Sequence, residues 1–521
     1  MPSVKKLRIG ATMVAAVGAL AFSTVPVGTA SAAAAAIPDG PALAKQLVRK
    51  VTVDGVYRHL IALQRLSDRT GGTRAASTQG HIQSAEYIYG KLAAAGFTVT
   101  RQEFPFVYTQ TIAEKLTVNG VDTPIGVMTY SPNTPAGGIT APLAVIPTGS
   151  DATPGCEAAD FTGIDVVGKI ALIQRGGCPF AVKQANAGAV GAIGAVIYNN
   201  VAGALNGTLG DPAAGVIPTG GISLADGLAL AASGGTAVLD LRELREDRTS
   251  YNVIAETSTG RKDNVVMLGA HLDSVPEGGG INDNGSGSAG LLETALQLGG
   301  APKTKNAIRF AWWSAEEFGL IGSTHYVNSL DFEAQLNIAL YLNFDMIASP
   351  NAAYFVYDGD DSDGVGAGPG PYGSAAIEQT FVDFHNAVGV PTEGSDFTGR
   401  SDYGEFIAQG IPAGGLFTGA EGIKTEAQAA KWGGQANVAY DKCYHQQCDN
   451  LGNIDRLALE RNSDAIAWAT GFFGTSTESV NGVPSVSAKR AARQAAMKAA
   501  KLSVSRTGVV VDDHDHEGVA S

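Results

Sequence analysis

Two adjacent carboxylates, Glu316 and Glu317, follow shortly after the strongly apolar segment Phe310–Trp313. Such a segment predicts a buried strand, and charged groups at the end of a buried strand are costly unless they meet cations. Side chains of adjacent residues point in different directions, so one carboxylate can bind a metal ion while the other faces a bound water. The pair therefore predicts a metal ligand and a general base side by side.

Three further polar residues lie at the end of an apolar segment or inside one. His271 follows the run Val265–Ala270, and Asp273 comes two residues later. Asp345 interrupts the apolar stretch Ile338–Ile347. The carboxyl ends of strands in an α/β sheet are where such sheets bind ligands. A lone histidine of this kind is often structural, so the prediction depends on the whole set.

The glycine-rich loop Gly278–Gly287 leads into a predicted helix and surrounds Asp283 with small residues. Its carboxylate can therefore approach an ion closely. A glycine-rich loop before a helix can instead bind phosphate, but this loop lacks the lysine of a P-loop and the spacing of a dinucleotide fingerprint. The loop favours metal binding over phosphate binding.

Cys443 and Cys448 enclose Tyr444 and His445 in a short segment. A disulfide there would make the segment rigid, which suits a metal ligand and an oxyanion donor. A rigid surface loop without a function explains the same pattern.

Together these segments supply two histidines, three carboxylates and a spare glutamate. Neutral imidazole and carboxylate suit Zn²⁺, and one shared carboxylate can hold two ions about 3.5 to 4 Å apart. The sequence thus predicts two Zn²⁺ ions. No motif indicates Ca²⁺, whose binding the sequence leaves open. The other histidines are interpreted as structural or as part of a polar tail: His59, His81, His325, His385, His514 and His516.

In order and spacing these motifs resemble the M28 family of cocatalytic zinc aminopeptidases. The resemblance spans the chain outside an insertion and both ends, and no ligand of the family pattern is missing. The matching segments are His271–Asp273, Asn282–Gly287, Ala315–Ser323, Asn343–Met346 and Tyr444-His445.

The resemblance implies a role for each matched residue. Glu316 is the general base, Tyr444 helps to hold the oxyanion, and Asp273 supports a ligand histidine from behind. The implied zinc ligands are Asp283 as the bridge, His271 and Asp345 on one ion, and Glu317 and His445 on the other.

The resemblance also implies how the substrate binds. Glu316, Asp345 and the main-chain carbonyl of Arg400 would recognise the free α-amino group. Phe417 would line an apolar pocket and give a preference for large hydrophobic N-terminal residues such as leucine. Core packing is an equally good interpretation of Phe417.

The elements that must position these residues alternate between apolar strands and helices from about residue 250 onward, which is typical of an α/β sheet with helices on both faces. With the resemblance, this predicts a mixed, mainly parallel sheet. Residues 37–137 and 250–475 are predicted to form a split peptidase domain. It opens with helical patterns over residues 41–66 and 81–95 and a strand over residues 97–104.

Residues 138–249 differ from their surroundings, with short apolar runs between glycines and prolines and few residues of catalytic type. Within them Gly176–Phe180, Lys183–Ala189 and Gly194–Asn200 resemble the protease-associated (PA) domain, a small β/α module inserted in exported peptidases. We expect this segment to be such an insertion.

The two ends of the chain are predicted to lie outside the fold. Residues 1–32 combine early basic residues, an apolar run and an Ala30-Ser31-Ala32 cleavage pattern, and they are interpreted as a secretory signal. The apolar run is shorter than the roughly 20 residues that a membrane-spanning helix needs. Residues 476–521 form a polar extension, either a removable propeptide or a solvated tail.

Export favours disulfides, and the four cysteines form two local pairs, Cys156 with Cys178 and Cys443 with Cys448. The pairing depends on closeness in sequence alone. A zinc-thiolate site is the competing interpretation, although the spacing fits no CxxC pattern.

A formal net charge of −14 argues against nucleic acid as a partner. We expect a secreted monomer that acts on the N-termini of peptides and does not bind membranes once the signal is removed. The alternatives are a carboxypeptidase or a glutaminyl cyclase of the same fold, or an inactive binding protein. A carboxypeptidase would need a basic pocket, and the intact ligand set argues against an inactive protein.

Overall fold

A computed structural model describes residues 42–148 and 153–482, with a few residues between 488 and 498. The predicted signal segment and most of the polar extension lie outside the described residues.

The helices are short to medium in length and are distributed along the described chain. They are α1 Ala42–Lys50, α2 Val53–Arg69, α3 Gln79–Ala94, α4 Phe180–Ala189, α5 Leu224–Ser233, α6 Gly285–Leu298, α7 Ile321–Ser329, α8 Phe332–Leu336, α9 Ser374–Ala387, α10 Gly404–Ala408, α11 Glu426–Trp432, α12 Arg456–Thr475 and α13 Glu478–Asn481. Two short 3₁₀ helices span Ala158–Phe161 and Leu451–Asn453.

The strands range from two residues to 21. They are β1 Thr98–Val118, β2 Val121–Thr123, β3 Gly126–Val127, β4 Ile139–Val145, β5 Ile170–Gln174, β6 Gly194–Tyr198, β7 Thr219–Ile222, β8 Thr236–Glu256, β9 Arg261–His271, β10 Asn306–Trp313, β11 Ile338–Phe344, β12 Phe355–Tyr357, β13 Glu393–Ser395, β14 Ala413–Phe417, β15 Ile423–Lys424 and β16 Val438–Ala439.

The main sheet runs in the order β13-β12-β14-β11-β9-β10-β8 and continues through β4 into the strands of the insertion. In its centre β10 pairs parallel with β9, and β11 pairs parallel with β9 and β14, while β8 is antiparallel to β10. All seven residues of β11 are buried. A continuous apolar strand of this kind must be covered on both faces, and the predicted mixed, mainly parallel sheet is confirmed.

Helices cover both faces of this sheet because successive strand residues point to opposite sides. Leu268 and Phe310 join one core cluster with residues of α2, α6 and α12. Their neighbours Met267 and Ala311 join a second cluster with residues of α7 and α10. Both clusters are apolar, so the polar residues of the strands are confined to the strand ends.

The inserted segment forms its own small sheet, in which β4, β5, β6 and β7 pair in parallel. Two separate apolar clusters fill its interior. The long strands β1 and β8 connect this sheet to the main one and pair antiparallel along almost their whole length, from Thr98 opposite Glu256 to Val118 opposite Ala237. The expected strand over residues 97–104 is therefore the first part of a much longer one.

The helical pattern expected from residue 41 to 66 is two helices, not one. Thr52 adopts an extended conformation with φ −126° and ψ 147°, and its side chain accepts a hydrogen bond from the Gly55 amide. A threonine at this position caps the second helix, which local capping favours over a continuous helix.

Both disulfides pair as predicted, Cys156 with Cys178 and Cys443 with Cys448. The first lies in the inserted domain, and the second closes the short loop that carries Tyr444 and His445.

Gly269 and Gly90 offer a matched test of packing in this fold. A methyl group added at Gly269 overlaps the Tyr341 hydroxyl and the Trp313 indole nitrogen, whereas one added at Gly90 in α3 meets nothing within 4 Å. Overpacking of a core costs about 1–3 kcal/mol, and glycine inside a helix costs about 0.5–1 kcal/mol relative to alanine.

We therefore expect Gly269→Ala to lower the free energy of unfolding and Gly90→Ala to raise it, measured by denaturant titration. Changes of the same sign in both variants would contradict the packing described here.

Candidate metal centre

The five predicted metal ligands converge at the carboxyl edge of the central strands. β9 ends at His271, which lies opposite Trp313 at the end of β10, and Glu317 follows β10. Asp345 follows the end of β11 at the same edge. The other two predicted ligands come from loops, Asp283 from the glycine-rich loop before α6 and His445 from the disulfide loop.

Asp283 lies between the two histidines. Its Oδ1 atom is 3.2 Å from His271 Nε2, and its Oδ2 atom is 3.3 Å from His445 Nε2. Asp345 Oδ1 is 3.3 Å from His271 Nε2, and Glu317 Oε2 is 3.1 Å from His445 Nε2. Two groups of three donor residues therefore share one carboxylate.

The donor set fits Zn²⁺. In each group the imidazole nitrogen and the two carboxylate oxygens lie within 4.8 Å of one another. Glu317 Oε1 is buried and has no hydrogen-bond partner among the described residues. Each histidine nitrogen faces two acidic oxygens at once, an arrangement in which a cation satisfies all three atoms.

The local charge is strongly negative. Burial opposes the charged form of His445, but Glu317 and Asp283 outweigh it and raise the pKa of this histidine to about 10. Burial likewise opposes the charged form of His271, and Glu316 and Asp345 raise its pKa well above the usual range. A site that stabilises positive charge on both histidines is one that attracts cations.

Glu316 lies beside the two donor groups but belongs to neither. Its Oε2 atom is 3.9 Å from His271 Nε2. Burial is the main reason why the pKa of Glu316 is raised well above its usual range, and nearby Asp345 adds to it. Ala315 has a φ of 57°, and this left-handed turn directs the side chains of Glu316 and Glu317 to different places. A buried carboxyl with a raised pKa is suited to proton transfer.

Asp273 supports the site through main-chain geometry as well as charge. His271 Nδ1 is 3.2 Å from the Asp273 carbonyl oxygen and 3.8 Å from its Oδ1 atom. The same Oδ1 atom accepts a hydrogen bond from the Glu316 amide at 3.3 Å. Asp273 thus links the histidine at the end of β9 to the glutamate that follows β10.

Arg74 is a site residue that the sequence analysis missed. It is fully buried, and its guanidinium donates to the carbonyls of Leu272, Gly279 and Gly280, all in the segment between His271 and Asp283. Burial lowers its pKa to about 10, while Asp273 and other nearby carboxylates act in the opposite direction. Arg74 lies about 200 residues away in sequence, so no local pattern could have connected it to the site.

Three further residues position the ligands and were also missed. The Ser401 hydroxyl donates to Asp345 Oδ2 at 2.5 Å. The carboxylate of Asp449 accepts the Asn282 and Asp283 amides at 2.8 and 3.0 Å. Burial raises the pKa of Asp402 to about 8, with Asp345 among the nearby charges that add to it. Asp402 follows Arg400 in the Gly-Arg-Ser-Asp segment, which the sequence analysis singled out for Arg400 alone.

Apart from Asp273 and the cysteines, every predicted site residue borders one open cavity of about 320 Å³. At one side of it Arg400 donates to the Tyr444 hydroxyl at 3.2 Å and to Glu421 at 2.9 Å. Phe417 is partly exposed, and its ring centroid is 6.1 Å from that of Phe355. The ring therefore lines the cavity and is not part of a closed core.

No helix in the described ranges combines the length and the apolar character that crossing a membrane would require.

Known proteins share this fold and site. A family model described as Peptidase family M28 matches residues 252–470, and one described as PA domain matches residues 139–230. The chain is 43% identical over 488 residues to the probable lipoprotein aminopeptidase LpqL of Mycobacterium tuberculosis, covering 92% of this chain and 97% of that protein. It is 45% identical over 465 residues to leucine aminopeptidase 2 of Trichophyton tonsurans, covering 88% of this chain and 92% of that protein.

Among solved structures, a zinc aminopeptidase from Bacillus subtilis is similar, with a TM-score of 0.57 and 28% identity. The match covers 80% of this chain and 94% of that one. The fold and these relatives define a zinc-dependent aminopeptidase. More narrowly, the chain belongs to peptidase family M28 and carries an inserted PA domain, as the sequence motifs predicted.

The contacts of Arg74 generate a prediction about stability. Arg74→Met removes three hydrogen bonds to buried carbonyls and a cation from a buried acidic region, and breaking such an arrangement costs about 3–5 kcal/mol. We expect a loss of this size in the free energy of unfolding, measured by denaturant titration of the zinc-loaded protein.

Arg69→Met, at the exposed end of α2, is the matched control and should stay within about 0.5 kcal/mol of the parent. An equal loss in both variants would remove the special role of Arg74.

Proposed function

We propose that the protein is a secreted aminopeptidase that uses two Zn²⁺ ions and prefers peptides with a large hydrophobic N-terminal residue. The observation that carries the proposal is the position of Asp283 between two histidine-carboxylate groups, with Glu316 beside them. A shared carboxylate is the arrangement that two neighbouring metal ions require.

In this proposal Asp283 bridges the ions, with His271 and Asp345 on one and Glu317 and His445 on the other. Zinc bound there lowers the pKa of a water and polarises a carbonyl oxygen. Arg74, Ser401 and Asp449 hold the ligands and their loops in place, so little rearrangement is needed when the ions bind.

Glu316 acts as the general base. It accepts a proton from the attacking water and then donates that proton to the leaving amine, and its raised pKa suits both steps. The Tyr444 hydroxyl donates a hydrogen bond to the oxyanion that develops on the peptide carbonyl. The Arg400 guanidinium, 3.2 Å from the Tyr444 oxygen, strengthens this hydroxyl as a donor.

The free α-amino group of the substrate binds to Glu316, Asp345 and the main-chain carbonyl of Arg400. An ammonium group in a buried acidic region forms strong charge-assisted hydrogen bonds. Phe417 with Phe355 provides an apolar wall for the first side chain, which supports the hydrophobic preference. The name of the Trichophyton tonsurans relative, leucine aminopeptidase 2, agrees with this substrate class.

We also propose that the protein is exported and acts as a monomer, with residues 37–137 and 250–475 as the peptidase domain around the insertion at 138–249. The signal pattern in residues 1–32 and the two disulfides support export. The mature N-terminus, read from protein recovered outside the cell, tests this part.

The first test of the activity is release of leucine from leucine p-nitroanilide, compared with its N-acetyl derivative. We expect cleavage of the free-amine substrate alone, loss of activity after chelation, and recovery when two equivalents of Zn²⁺ are added. Cleavage of both substrates would contradict recognition of the α-amino group. No cleavage at full zinc occupancy would favour the carboxypeptidase or the inactive binding protein.

A second test addresses Glu316 directly. Glu316→Gln keeps the shape of the side chain but removes the base, so kcat should fall by about 10² to 10⁴ while the zinc content measured by elemental analysis stays at two per chain. Glu426→Gln, at an exposed position in α11, is the matched control and should keep the parent kcat. Loss of zinc together with activity in Glu316→Gln would instead identify Glu316 as a ligand.

A further inference from the structure

The middle of the long strands β1 and β8 crosses from the peptidase sheet to the inserted sheet as a two-stranded segment, here called the ribbon, formed by residues 104–111 and 243–250. At one end β8 pairs with β10 over Val253–Glu256, and at the other it pairs with β4 over Thr236–Leu239. Between these points the described strands β1 and β8 pair only with each other.

The ribbon is fixed against the loop that carries the catalytic glutamates. Phe106 and Tyr108 place their ring centroids 5.4 and 5.2 Å from that of Phe318, the residue directly after Glu317. The Arg248 guanidinium covers the outer side of Tyr108, 3.6 Å from its ring centroid. Edge-on and tilted aromatic contacts of this kind stabilise a defined arrangement. The ribbon is therefore a rigid wall of the site.

Beyond this aromatic row the ribbon borders the cavity with polar side chains. Gln110, Thr111 and Glu243 line it, and Glu277 joins them from the loop after β9. The order of the sheet puts β12, β13 and β14, with Phe417 at the end of β14, on one side of β9, and puts β10 and the ribbon on the other. Among the described residues Arg400 is the one arginine or lysine at the cavity, and it follows β13 on the Phe417 side.

The ribbon side of the cavity therefore carries two carboxylates that are not among the proposed metal ligands. Glu243 keeps 19% of its side chain exposed, and Arg245 approaches it at 3.7 Å. The Arg245 guanidinium itself lies 4.4 Å from the Tyr130 ring centroid and does not border the cavity. Glu277 is exposed at the rim. An acidic wall attracts cationic groups and repels anionic ones.

We propose that the ribbon forms the binding site for the second residue of the peptide and selects substrates in which that residue is basic. The inference rests on the proposed function, in which the α-amino group and first side chain occupy the side of Arg400 and Phe417. The chain after the scissile bond then leaves toward the ribbon, because the cavity extends there. Glu243 and Glu277 attract a lysine or arginine side chain, and Gln110 and Thr111 offer hydrogen bonds to the peptide main chain.

The test uses the full chain loaded with zinc and three dipeptide amides, Leu-Lys-NH₂, Leu-Ala-NH₂ and Leu-Glu-NH₂, with leucine amide as a reference. At low ionic strength we expect kcat/KM to fall in that order, by about tenfold from the lysine to the glutamate substrate. The ratio should shrink as salt is added, because salt screens partly exposed charges. The double variant Glu243→Gln/Glu277→Gln should reduce the ratio to about twofold.

Glu246→Gln is the matched control, since Glu246 lies on the same strand and pairs with Arg248 but does not border the cavity. It should keep the parent ratio. Equal rates on the three dipeptides, or an unchanged ratio in the double variant, would overturn the ribbon proposal while leaving the aminopeptidase intact. Failure to release leucine from leucine amide as well as from the dipeptides would overturn the proposed function and this inference together.

Discussion

Burial of several like charges in one small region is the constraint around which this structure is arranged. The carboxylates of Asp283, Glu316, Glu317 and Asp345 all border one cavity, and Asp273 lies directly beneath it. Removing a charge from water is very costly unless an opposite charge replaces the lost solvation. Two histidines and one buried arginine reduce this cost only in part, which is why the site is suited to divalent cations.

The order of the sheet solves the problem of bringing these groups together. β10, β9 and β11 are neighbours and run parallel, so residues that end three separate strands meet at one edge. Apolar side chains fill both faces of these strands, and the polar residues are left at the carboxyl ends, where loops can vary. The remaining two donors, Asp283 and His445, come from loops that are held by other contacts, Arg74 and Asp449 in one case and a disulfide in the other.

The inserted domain is connected to this arrangement more closely than a separate module would be. Its sheet continues the main sheet through β8, and the ribbon contacts the glutamate loop through Phe106, Tyr108 and Phe318. The left-handed turn at Ala315 needs such support, because a non-glycine residue with positive φ persists only where its surroundings hold it. The insertion thus contributes both a wall of the cavity and part of the support for the residues beside it.

The sequence by itself determined the alternation of strands and helices, the class of the fold, the two cysteine pairs and the residue types at the site. It did so because hydrophobic periodicity and the chemistry of His, Asp and Glu are local properties that can be read along the chain. It did not reveal the break in the first predicted helix, where a threonine cap outweighed the apolar pattern.

Only the tertiary structure decided which distant residues support the site. Arg74, Ser401 and Asp449 have ordinary sequence surroundings, and their roles arise from contacts across 50 to 200 residues of chain. The approach of the ribbon to the cavity likewise depends on the register of two strands that are more than 100 residues apart. Burial, register and long-range hydrogen bonds are properties of the folded chain, and no local pattern encodes them.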